Sequence, residues 1–371
     1  MELLCFPPNR LIQLDREPNP ELTGVPPDTP PERDLFLRAL FVMNRTEGEL
    51  ALDRLSFTPE VRGTPVLTRS YQGDALRVRI AQSTLQRASL LPPLVPFAFG
   101  GHEPPADEQL TDELTLPPGR GVCLLYEHFR VSSADPLDRL VVSVDCRGSA
   151  GPTRACAELP VESYAPTSPL RFPLDCPTHV FTSYDSLYVL SHRRLQSQEY
   201  AFDFVGADPG GRIPPKGSAN RGCFGYGEPI RAVADGTVVA CVDGYPENPC
   251  RGELLPPDEL ARLGGEYGVF PTLVGNHVVI AHPGGEHSLY VHLIPGSLTA
   301  LPGDMVSAGQ AIGRLGNSGM SGGPHLHFAL MDGPDVVRAQ GLPCRFTGLR
   351  QLLWDQPATW VPESSWLVGQ G

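Results

Sequence analysis

The chain reads as a mostly β protein of two domains, a β-sandwich-like N-terminal domain followed by an antiparallel β domain. Three observations predict this. Its 371 residues exceed the ~100–200 of a single domain. Proline (41) and glycine (39) together exceed a fifth of the chain, against an average of roughly an eighth, while 41% stays apolar. Short apolar runs separated by turn residues recur along the chain, and convincing long helical periodicity does not.

Taken in order, residues 1–34 are expected to form a proline-rich arm, since positions 7–31 carry eight prolines with acidic and polar filler. A β-sandwich-like domain is expected over 35–170. Its strands are read from Leu35–Met43, broken only by Arg38, and from the runs Leu52–Phe57, Val122–Tyr126 and Leu140–Val144. Leu76, Ile80 and Leu91 fit a helix over 76–91, and the proline-rich 92–118 reads as a surface loop. No cluster in 1–165 suggests chemistry. The second domain spans 175–350, where strand-turn-strand units have glycine at most corners, as at Asp235-Gly236 and Asn317-Ser318-Gly319. Within it, 243–274 reads as an insertion with a short helix over Pro257–Leu263, proline early and Gly264 at its end. Residues 351–371 are expected to be a tail.

Charge and motifs narrow the function. Net charge is −13, and a single lysine, Lys216, accompanies 28 arginines, so no basic track for phosphates exists and nucleic-acid binding is excluded. No stretch approaches the ~18 apolar residues of a membrane span, and the start lacks the basic and apolar parts of a signal peptide. Nine cysteines show no C-x-x-C zinc spacing; Cys146/Cys156 and Cys241/Cys250 are loop-closing candidates if the protein meets an oxidising compartment. Gly309, Gly313, Gly316 and Gly319 are turns, because no helix or lysine follows them as in a phosphate loop. A biotin- or lipoyl-carrier reading requires an attachment lysine at a hairpin tip, whereas Lys216 lies in an irregular Pro/Gly segment.

The most informative stretch is Asn317-Ser318-Gly319-Met320-Ser321-Gly322-Gly323-Pro324-His325-Leu326-His327-Phe328. It sets two histidines at i and i+2 of a strand after a glycine-rich turn, so both imidazoles face one small volume. Upstream stand Asn276-His277-Val278-Val279-Ile280-Ala281-His282, Leu289-Tyr290-Val291-His292-Leu293 and Tyr200-Ala201-Phe202-Asp203-Phe204. This order over about 199–331 resembles the lysostaphin-like zinc endopeptidases, which cut peptide cross-links in bacterial cell walls.

The resemblance implies a lysostaphin-type, barrel-sandwich-like antiparallel β domain with a zinc cofactor and a peptidoglycan peptide as partner. It implies that Asp203 and His327 ligate zinc, that His325 is the general base, and that His292 assists at the developing oxyanion or in proton transfer. It also implies a cell-envelope or secreted site of action. Four residues before Asp203 the family has histidine and this chain has Glu199, while the family's intervening glycine is Ala201. The third ligand is therefore Glu199 or His192. With Glu199 the ion would face two carboxylates, formal charge would fall to zero and the activity optimum would move to alkaline pH. His277, His282 and His287 are expected in structural roles. Two functions stay in view: a zinc endopeptidase, and a catalytically degenerate domain that binds wall peptide or regulates another hydrolase.

Overall fold

The computed structural model describes all residues except 17–25, 27, 184–191, 209, 211, 353–355, 359–360, 362–365 and 370–371. It is mostly β and divides into two compact units, Met1–Tyr164 and Ala165–Gly371.

In the first unit the apolar run around Leu35 forms the Glu32–Met43 strand, buried along nearly its whole length. It pairs antiparallel with Glu2–Phe6, Leu11–Arg16 and Gly121–Ser132. Leu11–Arg16 joins Gly151–Ser163 by a parallel pairing, and the path continues through Arg139–Gly148 to Leu50–Val61. Both halves of this sheet share one core, in which Leu35, Leu37, Leu55, Phe57, Phe129 and Val142 are fully buried. Each such side chain stabilises the fold by about 1.5–3 kcal/mol relative to exposure.

Residues 1–16 are thus core strands rather than part of the expected arm, because Leu11, Ile12 and Leu14 have apolar neighbours that the prolines around them do not forbid. The stretch over 92–118 also departs from a surface loop: Phe97, Ala98 and Phe99 are buried and anchor it. The expected helix is present over Gly73–Ala88, with Leu76, Ile80 and Ser83 on its buried face. None of the nine cysteines is bridged. Cys146 and Cys156 lie in register with Thr153 and Ser143, not with each other.

In the second unit Gly236–Val242, Asn276–Ala281, His287–Leu293, Leu326–Met331, Phe202–Gly206 and Thr178–Thr182 lie side by side in that order, all antiparallel. The sheet does not end there. Trp366–Gly369 pairs with Thr178–Thr182 and with Leu349–Gln351, so part of the expected tail extends the sheet, with Leu367 fully buried. The 243–274 connection carries two helices, Pro257–Tyr267 and Val269–Val274. Among the described residues no helix is long and apolar enough to cross a membrane.

Candidate metal centre

Three neighbouring strands carry the candidate residues. Asp203 of Phe202–Gly206 lies directly opposite His327 of Leu326–Met331, and His327 in turn lies opposite Val291 of His287–Leu293. His292, one residue further along, has no register partner: Asn276 faces Leu293 and His277 faces Val291, which leaves it as the extra residue of a β-bulge. Its φ of 68° is left-handed, a conformation that few residues other than glycine adopt. The bulge turns its ring into the cavity that His325 and His327 line.

The glycine-rich turn 316–325 is fastened from below. Gly275 and Gly319 have φ of +67° and +76°, and a Cβ on either would collide with the backbone of the other. Their close approach lets Ser318 Oγ accept from Asn276 N at 3.0 Å and donate to the Leu293 carbonyl at 2.8 Å. Ser318 O then accepts Nδ1–H of His292 at 2.7 Å. The His325 ring is held likewise, Nδ1–H donating to Gly323 O at 2.8 Å. Both rings therefore satisfy Nδ1 with a carbonyl and leave Nε2 available for chemistry.

Asp203 is the hub. His192 Nε2 lies 3.3 Å from its Oδ2, and His327 Nδ1 and His325 Nε2 lie 3.0 and 3.4 Å from its Oδ1. Burial opposes its ionisation, but the charges of His192 and His325 and their hydrogen bonds outweigh that and hold its carboxyl well below the usual range. Burial, reinforced by the charge of His192, pushes His327 down to about 4, so that its ring is neutral with a lone pair to give. Burial and the charges of His325 and His327 likewise hold His292 well below the usual imidazole value. For His325 burial is outweighed by the charge and hydrogen bond of Asp203, and the value rises.

Donor atoms of His192, Asp203 and His327 all lie within 4.8 Å of one another. Two ligands bound ~2.0–2.1 Å from one tetrahedral zinc lie about 3.4 Å apart, so the donor set fits the ion the resemblance implies. Glu199 is outside this group. The backbone bends as the site requires, through the 3-10 turn Gln196–Gln198, but the bend points the Glu199 carboxylate at Arg193 at 3.4 Å. Arg193 and Glu199 are 1% and 2% exposed, and a guanidinium so buried needs that counter-charge. His192 sits on its own 3-10 turn, His192–Arg194, and stacks edge-on against His327 at 4.5 Å.

Two residues escaped the sequence reading. Gln198 places Oε1 2.7 Å from His327 Nε2, which holds the ring proton there and leaves the lone pair on Nδ1. Arg251, in the 243–274 connection, lines the cavity with the histidines. The other histidines have local partners: His277 Nδ1 meets Gly275 O, and His282 bridges Asp235 O and Ser288 Oγ. His287, on the edge of the same strand pair, lies outside the cavity lining.

Residues 265–339 match the model of Peptidase family M23, so the second unit carries a domain of that family. The matched segment contains His292, His325 and His327 but not His192 or Asp203. The peptidoglycan DD-endopeptidase ShyA of Vibrio cholerae serotype O1 is 44% identical over 57 residues, 15% of this chain and 13% of that protein. The chain thus spans about an eighth of that relative's length. Among solved structures, the catalytic domain of lysostaphin from Staphylococcus simulans is 24% identical over 35% of this chain and 82% of its own, with a TM-score of 0.21. A zinc containing peptidase from Vibrio cholerae is 14% identical over 83% of this chain and 80% of its own, with a TM-score of 0.27.

Proposed function

We propose that the second unit is a zinc-dependent endopeptidase acting on peptidoglycan stem or cross-bridge peptides, with His192, Asp203 and His327 holding the ion. The observation that carries this reading is the convergence of three donor groups from separate segments on one cavity wall that also presents two further histidines. Bound there, zinc would supply a Lewis acid for the amide carbonyl and lower the pKa of a water. His325, anchored through Nδ1, takes and returns a proton through Nε2. His292, fixed by Ser318 O, faces the same volume and assists proton transfer. Gln198 keeps the His327 tautomer correct.

A His192/Asp203/His327 set has one anionic ligand, so the formal charge stays at plus one and the case for an alkaline optimum, which assumed Glu199 as ligand, lapses. Activity near neutral pH is the expectation.

The test is zinc content together with release of peptide from cross-linked peptidoglycan. Wild type is expected to carry about one zinc per chain. His192→Ala is expected to lose it, and Glu199→Gln to keep it. Zinc retained by His192→Ala and lost from Glu199→Gln would overturn the ligand assignment, and zinc bound without any cleavage would leave a binding domain.

A further inference from the structure

Apart from the histidines and Asp203, the cavity of about 290 Å³ beside the metal-donor group is walled mainly by apolar side chains, among them Phe181, Ile213 and Met320, and by glycine. One arginine, Arg251, is among the residues that line it. Several guanidiniums of this unit meet a carboxylate: Arg193 with Glu199, Arg212 with Asp208, Arg231 with Asp175, Arg262 with Glu266 and Arg338 with Asp335. Arg251, like Arg171 and Arg221, has no side-chain hydrogen bond or ion pair among the described residues, and of these three only Arg251 lines the cavity. A half-buried guanidinium with no protein counter-charge stays able to take an anionic partner.

Its placement is built rather than incidental. Arg251 N donates to Ser218 O at 2.9 Å, its carbonyl accepts from Gly217 N at 2.8 Å, and Gly252 N donates to Gly322 O at 3.0 Å. The side-chain stem crosses the turn before His325, its Cγ 2.8 Å from where a Cβ on Gly323 would stand. These bonds tie the 243–274 connection to Gly217, Ser218 and the glycine-rich turn and fix Arg251 in the cavity wall.

We infer that Arg251 binds a carboxylate of the substrate, so that the peptide cut at this site carries a free carboxylate close to the scissile bond. The inference rests on the endopeptidase reading above. A planar guanidinium pairs with a carboxylate through two parallel hydrogen bonds, which an amide cannot match. A cavity of this size admits roughly two or three residues of extended chain at ~3.4 Å each, which sets how far the carboxylate lies from the reacting carbonyl.

The experiment uses the full chain and a synthetic peptidoglycan stem tetrapeptide, with its carboxylates free or all converted to amides. Binding is read by calorimetry, and cleavage separately on the cross-linked dimer. Amidation is expected to weaken binding to wild type by ~10–100-fold. Arg251→Gln should bind the acid form as weakly as wild type binds the amide, Arg251→Lys should keep part of the preference, and both should melt as wild type does. The inference falls if wild type binds the two forms alike, binds neither, or if Arg251→Gln keeps the preference. Turnover without discrimination removes only this inference; discrimination without turnover removes the endopeptidase reading and leaves Arg251 as a carboxylate receptor.

Discussion

Each unit buries a carboxylate among potential donors, and the two outcomes are opposite. In the first unit Glu127, 2% exposed, accepts from Arg69 at 3.1 Å, Arg79 at 2.8 Å and Tyr71 at 3.1 Å. In the second, Asp203 faces three imidazoles and a cavity. Guanidiniums are permanently charged and have no lone pair, so the Glu127 cluster is electrically closed and serves to clamp the Gly73–Ala88 helix to the Gly121–Ser132 strand. Imidazoles offer either a proton or a lone pair, so the Asp203 cluster stays open to a cation. The partners of a buried acid, more than its burial, separate a structural knot from a site.

The largest effects should come from truncating the two acids. Asp203→Ala is expected to bring zinc content and cleavage to background, whereas Glu127→Ala should leave zinc untouched and cost about 3–5 kcal/mol of stability, read by denaturant unfolding. Equal zinc loss in both would dissolve the contrast. Next, His325→Ala should lower cleavage ~10²–10⁴-fold with zinc retained, as a proton-transfer group would. Gln198→Leu should weaken zinc ~10–100-fold in a chelator competition, with the cleavage rate of fully loaded protein changed less.

The smallest effect concerns acid stability. Burial lowers His277 and His282 below the usual imidazole value of 6.5, only partly offset by hydrogen bonds to the Gly275 and Asp235 carbonyls. The unfolded chain then takes up protons the native state refuses. Stability is complete above pH 6.5 and is lost as pH falls from there toward the depressed native values, by at most about 1.4 kcal/mol per pH unit and group. His282→Gln should flatten that slope in urea titrations at pH 7 and pH 5.5.

Much of this was legible in the chain itself. Leu35–Met43 announced its strand because nearly every side chain is apolar, and His325-Leu326-His327 announced a shared face because strand geometry is local. What escaped depended on long-range contact. Residues 7–16 look like an arm when prolines are counted, yet Leu11 and Ile12 are placed by a parallel partner about 150 positions away, and Leu14 by Asp34 of the antiparallel neighbour. No spacing rule announces Gln198, whose role exists only because His327, 129 residues on, needs a partner for Nε2. That Glu199 meets Arg193 while His192 lies beside Asp203 depends on where Arg193 is buried, which the pattern of polar residues around it does not encode.

His292 carries a last consequence. Its left-handed backbone costs a residue with a Cβ about 1–2 kcal/mol, a penalty that glycine escapes and asparagine softens. Replacing His292 by glycine or asparagine should therefore relieve backbone strain, and a stabilised His292→Gly or His292→Asn variant would show that the ring is kept there at a cost to the fold.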